Sequence, residues 1–215
     1  IDRGYDVTVY DNLSTGHRHA VPDGALLQEG DLCDRDALSG IMASFRPDFV
    51  MHFAASCLLG ESMEKPLKYY SNNVKNGQSL IETMLKHGVG GIIFSSSCAI
   101  FGEPRQIPMT EDDPKAPMNP YGKSKLAFEF MLDDCDSAYG LKNVCLRYFN
   151  AAGAAFGFEV RDLRLQGVRG LTDAGAHGSG RYDWRTSLVA GPPICNATRE
   201  ARRDMQENFE IVAVS

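Results

Sequence analysis

Phe49-Val50-Met51-His52-Phe53-Ala54 and Gly91-Ile92-Ile93-Phe94-Ser95 are the two runs on which the fold turns. Each is short and apolar without alternation, the pattern of a strand buried on both faces of a parallel sheet. Three further strands flank them: 6–10 (DVTVY), 25–29 (ALLQE) and 143–148 (NVCLRY). Helical spacing fills the intervals. Asp34 is a capping residue ahead of a helix over 35–45, with Leu38, Ile41, Met42 and Phe45 on one face. Residues 67–87 carry Leu80, Ile81, Met84 and Leu85 at helical spacing and stop at Gly88. Residues 120–139 start at a proline, turn Leu126, Phe130 and Met131 to one side, and end at Gly140.

Parallel neighbours need crossover connections, so strands alternating with helices imply an α/β, Rossmann-like doubly wound parallel sheet. Such sheets bind ligands at the carboxyl ends of their strands. The residues that follow each strand are therefore the candidates for chemistry.

The chain has 215 residues, a net charge of −6, 43% hydrophobic and 23% charged residues, which suits a soluble globular protein. That charge gives no reason to expect nucleic-acid or membrane-surface binding, and no apolar run approaches the ~18 residues of a membrane span. Six cysteines lie far apart with no C-x-x-C pair, and the histidines show no ligand spacing. The expectation is reduced thiols, a cytoplasmic location and no metal.

Asp11-Asn12-Leu13-Ser14-Thr15-Gly16 follows the first strand. A carboxylate there can accept from both ribose hydroxyls of an adenosine and would repel an extra 2′-phosphate, so Asp11 points to NAD rather than NADP. The same residue types also suit a plain turn. The glycine-rich fingerprint that belongs about 20 residues earlier would fall before Ile1, and the chain does not start with Met. We therefore expect a sheet lacking its first strand and its glycine-rich loop. Gly30-Asp31-Leu32 follows the second strand and Phe53-Ala54-Ala55 ends the third, where small residues let a flat cofactor approach the backbone. Asp31 suits an adenine amino group or, equally, a helix-capping loop.

The sharpest local signal is Ser95-Ser96-Ser97 followed by Tyr121-Gly122-Lys123-Ser124-Lys125. Tyr121 and Lys125 are one helical turn apart and share a face. An ammonium and a positive nicotinamide ring both favour phenolate, drawing the tyrosine towards service as a base. Ser97 can hydrogen-bond the reacting hydroxyl. Tyr-x-x-x-Lys alone arises readily by chance; its place beyond strand ends of one parallel sheet makes it specific. Residues 103–118 form a long polar, proline-rich loop of the kind that covers sites. Its cluster Glu111-Asp112-Asp113 reads as solvated surface rather than a metal site.

DNLSTG (11–16), GDL (30–32), HFAA (52–55), MEKPLKYYSNNV (63–74), IIFSSSCAIFG (92–102), PYGKSKLAFE (120–129) and LRYFNAAGA (146–154) together resemble, in register, the sugar-nucleotide 4-epimerases of the extended short-chain dehydrogenase/reductase family. The resemblance runs from about Gly4 to Ala154. It implies an isomerase of carbohydrate metabolism that interconverts UDP-glucose and UDP-galactose by transient NAD-dependent oxidation at sugar C4. Tyr121 would be the base, Lys125 would bind the nicotinamide ribose, and Ser97 would orient the sugar hydroxyl. Asp11, Asn12, Leu13, Ser14, Asp31, Leu32, Phe53, Ala54, Ala55, Asn72 and Phe149 would contact the cofactor, and Asn150 the sugar nucleotide. A homodimer is implied, with the helix over 120–139 in its interface. Cys57 stands where some members carry a lysine, and Phe101 replaces a frequent tyrosine. Cys98 and Ala99 stand where sister dehydratases carry an acidic pair, which disfavours dehydration. An epimerase or reductase of another nucleotide sugar, such as a UDP-pentose, and a non-catalytic dinucleotide-binding module are the alternatives.

The resemblance stops after Ala154. Residues 155–215 hold eight arginines and no lysine, against six arginines and eight lysines in residues 1–154. This break divides the chain into a partial NAD-binding domain, 1–154, and an atypical tail, 155–215. The expectation for the tail is a frameshifted or fused segment that packs poorly.

Overall fold

The computed structural model describes residues 4–105, 107, 109–149, 194–195 and 211–214. Their strands are β1 (Val7–Asp11), β2 (Leu26–Glu29), β3 (Phe49–His52), β4 (Gly91–Ser97), β5 (Lys142–Tyr148), β6 (Ile194–Cys195) and β7 (Ile211–Val214). They form one sheet in the order β2-β1-β7-β3-β4-β5-β6, parallel except for the β5–β6 pair. The α/β doubly wound architecture expected from the sequence is thus the one observed.

In a doubly wound sheet the central position belongs to the first strand of the chain. Here Ile211–Val214 fills it. Val7 to Tyr10 of β1 pair with Ile211 to Val214 on one side, and Phe49 to His52 of β3 pair with the same four residues on the other. The tail therefore contributes backbone to the middle of the sheet and, through β6, to its far edge; the rest of it lies outside the described residues.

The helices end where their caps dictate. In α1 (Arg35–Phe45) the Asp34 side chain accepts from the Ala37 N–H at 3.0 Å, satisfying one orphan donor of the first turn. In α5 (Pro120–Tyr139) Asn119 caps the start, Pro120 occupies the first turn, and Gly140 ends the helix at φ 72°. The helix expected over 67–87 is three pieces: α3 (Pro66–Tyr69), a π-helical stretch (Tyr70–Lys75) and α4 (Asn76–His87), which closes on Gly88 at φ 70°. A shorter helix, α2 (Leu59–Glu64), precedes them. Among the described residues no helix is long and apolar enough to cross a membrane.

The core lies between one face of the sheet and α1, α4 and α5. Tyr10, Val50, Ile92, Phe94 and Cys145 of the strands meet Leu38 and Met42 of α1, Leu80 and Met84 of α4, and Phe128 and Leu132 of α5. A Cβ at Gly77 would run into the Phe128 ring, so α4 lies tight against α5. Burying each such side chain stabilises the fold by roughly 1.5–3 kcal/mol, and this packing holds α5 over the sheet.

Candidate active site

β1 to β5 run parallel, so the residues after them line one edge. Across that edge the order is Asp31, Asp11, Phe53, Ser97 and Phe149. β1 and β4 are three strand positions apart, about 14 Å at the usual interstrand spacing, which matches the reach of an extended dinucleotide.

At one end β1 delivers Asp11. Its Oδ1 accepts from the Leu13 N–H at 2.7 Å, holding Leu13 at φ 53° in the left-handed region. The Asn12 Oδ1 accepts from the Ser14 N–H at 2.9 Å, while its Nδ2 donates to Asp31 Oδ2 at 2.6 Å. A Cβ on Gly16 would stand 2.6 Å from Asp11 Oδ2, so only glycine lets the loop fold back over that carboxylate. Asp31 accepts from the Cys33 N–H at 2.9 Å, and this bond, with the one from Asn12, holds its carboxyl below the usual range. Asp11, Asn12, Leu13, Ser14 and Asp31 are thereby brought together. Leu32 follows Asp31, but its side chain belongs to the core and leaves only its backbone to face a ligand.

At the other end are the three candidate catalytic groups. Ser97 closes β4, and its hydroxyl accepts from the Ala99 N–H at 3.2 Å as the 3-10 turn Cys98–Ile100 begins. Asn119 accepts from the Gly122 N–H at 2.8 Å and sets the first turn of α5. A Cβ on Gly122 would sit 2.5 Å from the Ala99 carbonyl oxygen, so glycine permits the close approach that places Tyr121 beside Ser97. The Ser97 hydroxyl lies close enough to the Tyr121 phenol to draw its pKa down. One turn on, the buried Lys125 ammonium donates to the Ser95 carbonyl at 2.7 Å and lies 5.9 Å from the Tyr121 ring centroid and 4.7 Å from that of Phe94.

The electrostatics differ from the sequence expectation. Burial pushes the Tyr121 phenol up, outweighing the downward pull of the Ser97 hydroxyl, and the Cys57 and Cys98 thiols add to the rise. Burial brings the Lys125 ammonium down to about 8. Desolvation thus moves both groups towards neutrality.

Phe53, Ala54 and Ala55 follow β3, with the Phe53 ring partly exposed and Ala54 packed against the core. Asn72 donates through Nδ2 to Asn73 Oδ1 at 3.1 Å. Phe149 stands exposed just past β5, whereas Asn150 lies outside the described residues. Cys57 is exposed on the loop after Phe53. Among the described residues no cluster of His, Cys, Asp and Glu could hold a metal ion.

Sequence reasoning passed over Asn73. Buried within the π-helical stretch, it accepts from the Ser56 N–H at 2.8 Å and donates to the Ser56 carbonyl at 3.0 Å and to Ser124 Oγ at 2.9 Å. Ser124 in turn donates to the Tyr121 carbonyl at 2.7 Å. One amide therefore ties the loop after β3 to the first turn of α5. Fully buried Tyr69 adds an edge contact to the Tyr121 ring, with centroids 6.5 Å apart. No local pattern singles Asn73 out, because its partners Ser56 and Ser124 lie 17 and 51 residues away in sequence.

The chain matches the model of the NAD dependent epimerase/dehydratase family over residues 1–166. It is 49% identical over 154 residues to the UDP-glucose 4-epimerase of Halalkalibacterium halodurans, covering 72% of this chain and 46% of that protein. Among solved structures it resembles UDP-glucose 4-epimerase from Brucella ovis in complex with NAD, with TM-score 0.70, 49% identity, and coverage of 72% and 47%. The UDP-Glc/GlcNAc 4-epimerase of Campylobacter jejuni is similar at TM-score 0.66 and 43% identity, with coverage of 71% and 48%. The chain spans about half the length of the curated relatives it matches.

Proposed function

The chain belongs to the NAD dependent epimerase/dehydratase family, and from that premise we propose that it serves an isomerase reaction interconverting UDP-glucose and UDP-galactose with NAD as cofactor. The observation that carries this reading is the phenol of Tyr121, near the Ser97 hydroxyl and set beside the Lys125 amine at the carboxyl edge of a parallel sheet.

The residues present fit NAD. Asp11, cradled by Gly16, offers its carboxylate to the adenosine ribose, and Asn12, Leu13, Ser14, Asp31 and the Leu32 backbone surround the adenosine end. That carboxylate favours NAD over NADP. Phe53, Ala54, Ala55, Asn72 and Phe149 would line the middle and the nicotinamide side, and Lys125 would donate to the nicotinamide ribose. NAD, when bound, supplies a reversible acceptor for hydride from sugar C4.

The remaining chemistry falls to the protein. Tyr121 takes the proton from the sugar 4-hydroxyl, and Ser97 holds that hydroxyl in line. The tyrosine starts as a neutral phenol raised by burial, so positive charge beside it is needed to free its proton. Lys125 provides one such charge below about pH 8. Asn150 would reach the sugar nucleotide. The thiol and methyl of Cys98 and Ala99 offer no acid to expel water, which favours epimerisation over dehydration. We further propose a cytoplasmic homodimer joined through α5, on which Phe130 stands exposed.

Incubating the protein with NAD and UDP-galactose and assaying UDP-glucose tests the reading. Conversion that disappears in Tyr121→Phe supports it. Turnover of UDP-pentoses alone would move the substrate class, and NAD binding without turnover of any UDP-sugar would leave a dinucleotide-binding module.

A further inference from the structure

Tyr121, Lys125 and Glu129 follow one another at four-residue steps along one face of α5. Each faces a different serine at the end of β4. Tyr121 has the Ser97 hydroxyl near its phenol, Lys125 donates to the Ser95 carbonyl at 2.7 Å, and Glu129 Oε1 accepts from Ser96 Oγ at 2.6 Å. The third contact is the deepest, with Ser96 4% and Glu129 1% exposed. The Glu129 carboxylate is also held from β5. Arg147 donates through Nε to Oε1 at 3.0 Å and through Nη2 to Oε2 at 2.7 Å. Lys115, on the long loop before α5, reaches Oε2 at 3.6 Å.

We propose that Glu129 is a positioning residue for the Tyr121–Ser97 pair, a role that rests on the reading of Tyr121 as the proton-transfer group. The carboxylate binds β4 through Ser96 and β5 through Arg147, so it sets where α5 lies along the strand ends. A slide of the helix would stretch the phenol–hydroxyl contact two turns away. A pair of packed apolar side chains would bury surface without imposing that register, because dispersion contacts are not directional. Two carboxylate oxygens serving donors from two strands and a loop impose it in every direction.

A purely structural Glu129 would only neutralise the buried Arg147. The two roles part at Ser96, whose removal breaks the link to β4 and spares the ion pair. The test is the phenolic 13C signal of Tyr121 at neutral pH in the tyrosine-labelled protein, assigned by its loss in Tyr121→Phe. Ser96→Ala is expected to shift that one signal, Ser96→Thr to restore it, and Glu129→Gln to shift it in the same direction. With UDP-galactose, Ser96→Ala should lower kcat about tenfold with KM unchanged, the effect of one misaligned hydrogen bond. An unmoved Tyr121 signal in folded Ser96→Ala protein overturns the proposal, whatever becomes of Glu129→Gln, which can lose its fold with Arg147 left unneutralised. Undiminished UDP-galactose turnover in Tyr121→Phe would instead overturn the reading of the base and leave the spectroscopic result standing.

Discussion

Lys125 fastens helix to strand by donating to the Ser95 carbonyl at 2.7 Å while its ammonium lies 5.9 Å from the Tyr121 ring centroid. Anchorage and chemistry therefore depend on one buried amine. Burial brings its pKa from 10.5 to about 8. An unfolded lysine keeps its proton to pH ~10.4, so between about 8 and that value the unfolded chain binds more protons and stability rises with pH. Below that window the whole penalty opposes folding, on the order of 3 kcal/mol at about 1.4 kcal/mol per unit. Lys125→Met removes it. In urea unfolding, the variant's stability relative to wild type should decline as pH rises from 8 to 10. A difference that stays flat would mean that the amine is not desolvated.

His52 behaves as a core residue. It is 1% exposed, stacks on Phe94 at a centroid distance of 5.5 Å, meets Phe128 edge-on at 5.3 Å, and is pushed by burial, with a smaller contribution from Lys125, to about 3. The folded ring stays neutral while the unfolded one takes a proton below pH ~6.5. Stability from this group is thus complete above that value and falls as the solution is acidified, by up to ~1.4 kcal/mol per pH unit. His52→Phe should flatten the acid limb of a stability–pH curve between pH 4.5 and 6.5. An unchanged limb would assign acid sensitivity elsewhere.

Gly122→Ala separates helix propensity from fit. In an open helix the change would stabilise by about 1 kcal/mol. Here the new methyl would stand 2.5 Å from the Ala99 carbonyl oxygen and 3.0 Å from Pro117 Cβ. The first turn of α5 must lift, for a net loss of roughly 1–3 kcal/mol. Thermal melts should show a fall of a few degrees, about 2–4 °C per kcal/mol. Turnover should drop further than stability does, since Tyr121 leaves Ser97.

Asn73→Ala strips partners from the Ser56 N–H, the Ser56 carbonyl and the Ser124 hydroxyl together. Each buried group left unpaired costs ~1–3 kcal/mol. Faster amide exchange at Ser56 is expected, ahead of any change in the sheet. Exchange at Ser56 no faster than in wild type would show that the loop after β3 does not depend on this amide.

Much of the fold was legible because its signals are local. Asp34, Pro120, Gly88 and Gly140 mark helix ends chemically, and α1 and α5 have the bounds read from the sequence. The apolar-run criterion ended β4 at Ser95, yet the strand continues to Ser97 because Ser96 and Ser97 pair with Arg147 and Tyr148 of β5. Polar residues in a strand are invisible to that criterion. It also carried β3 to Ala54, whereas pairing stops at His52. One helix was read over 67–87 because apolar spacing does not register a widened turn; the π-helical stretch at Tyr70–Lys75 holds buried Asn73. The Tyr121–Lys125 face was readable from spacing alone. Its extension to Glu129 was not, because the partners Ser96 and Arg147 lie 33 and 18 residues away in sequence.

The position of Ile211–Val214 has a kinetic consequence. β1 and β3 meet in the sheet only through this strand, and its partner Val7 lies at the far end of the chain. Closing so large a loop carries an entropic cost before any ladder hydrogen bond forms, and pairings of high sequence separation assemble slowly. The half of the sheet from β3 to β5, built from nearer neighbours, should condense first. The parallel β2–β1 edge should then join last and, in native-state exchange, open first.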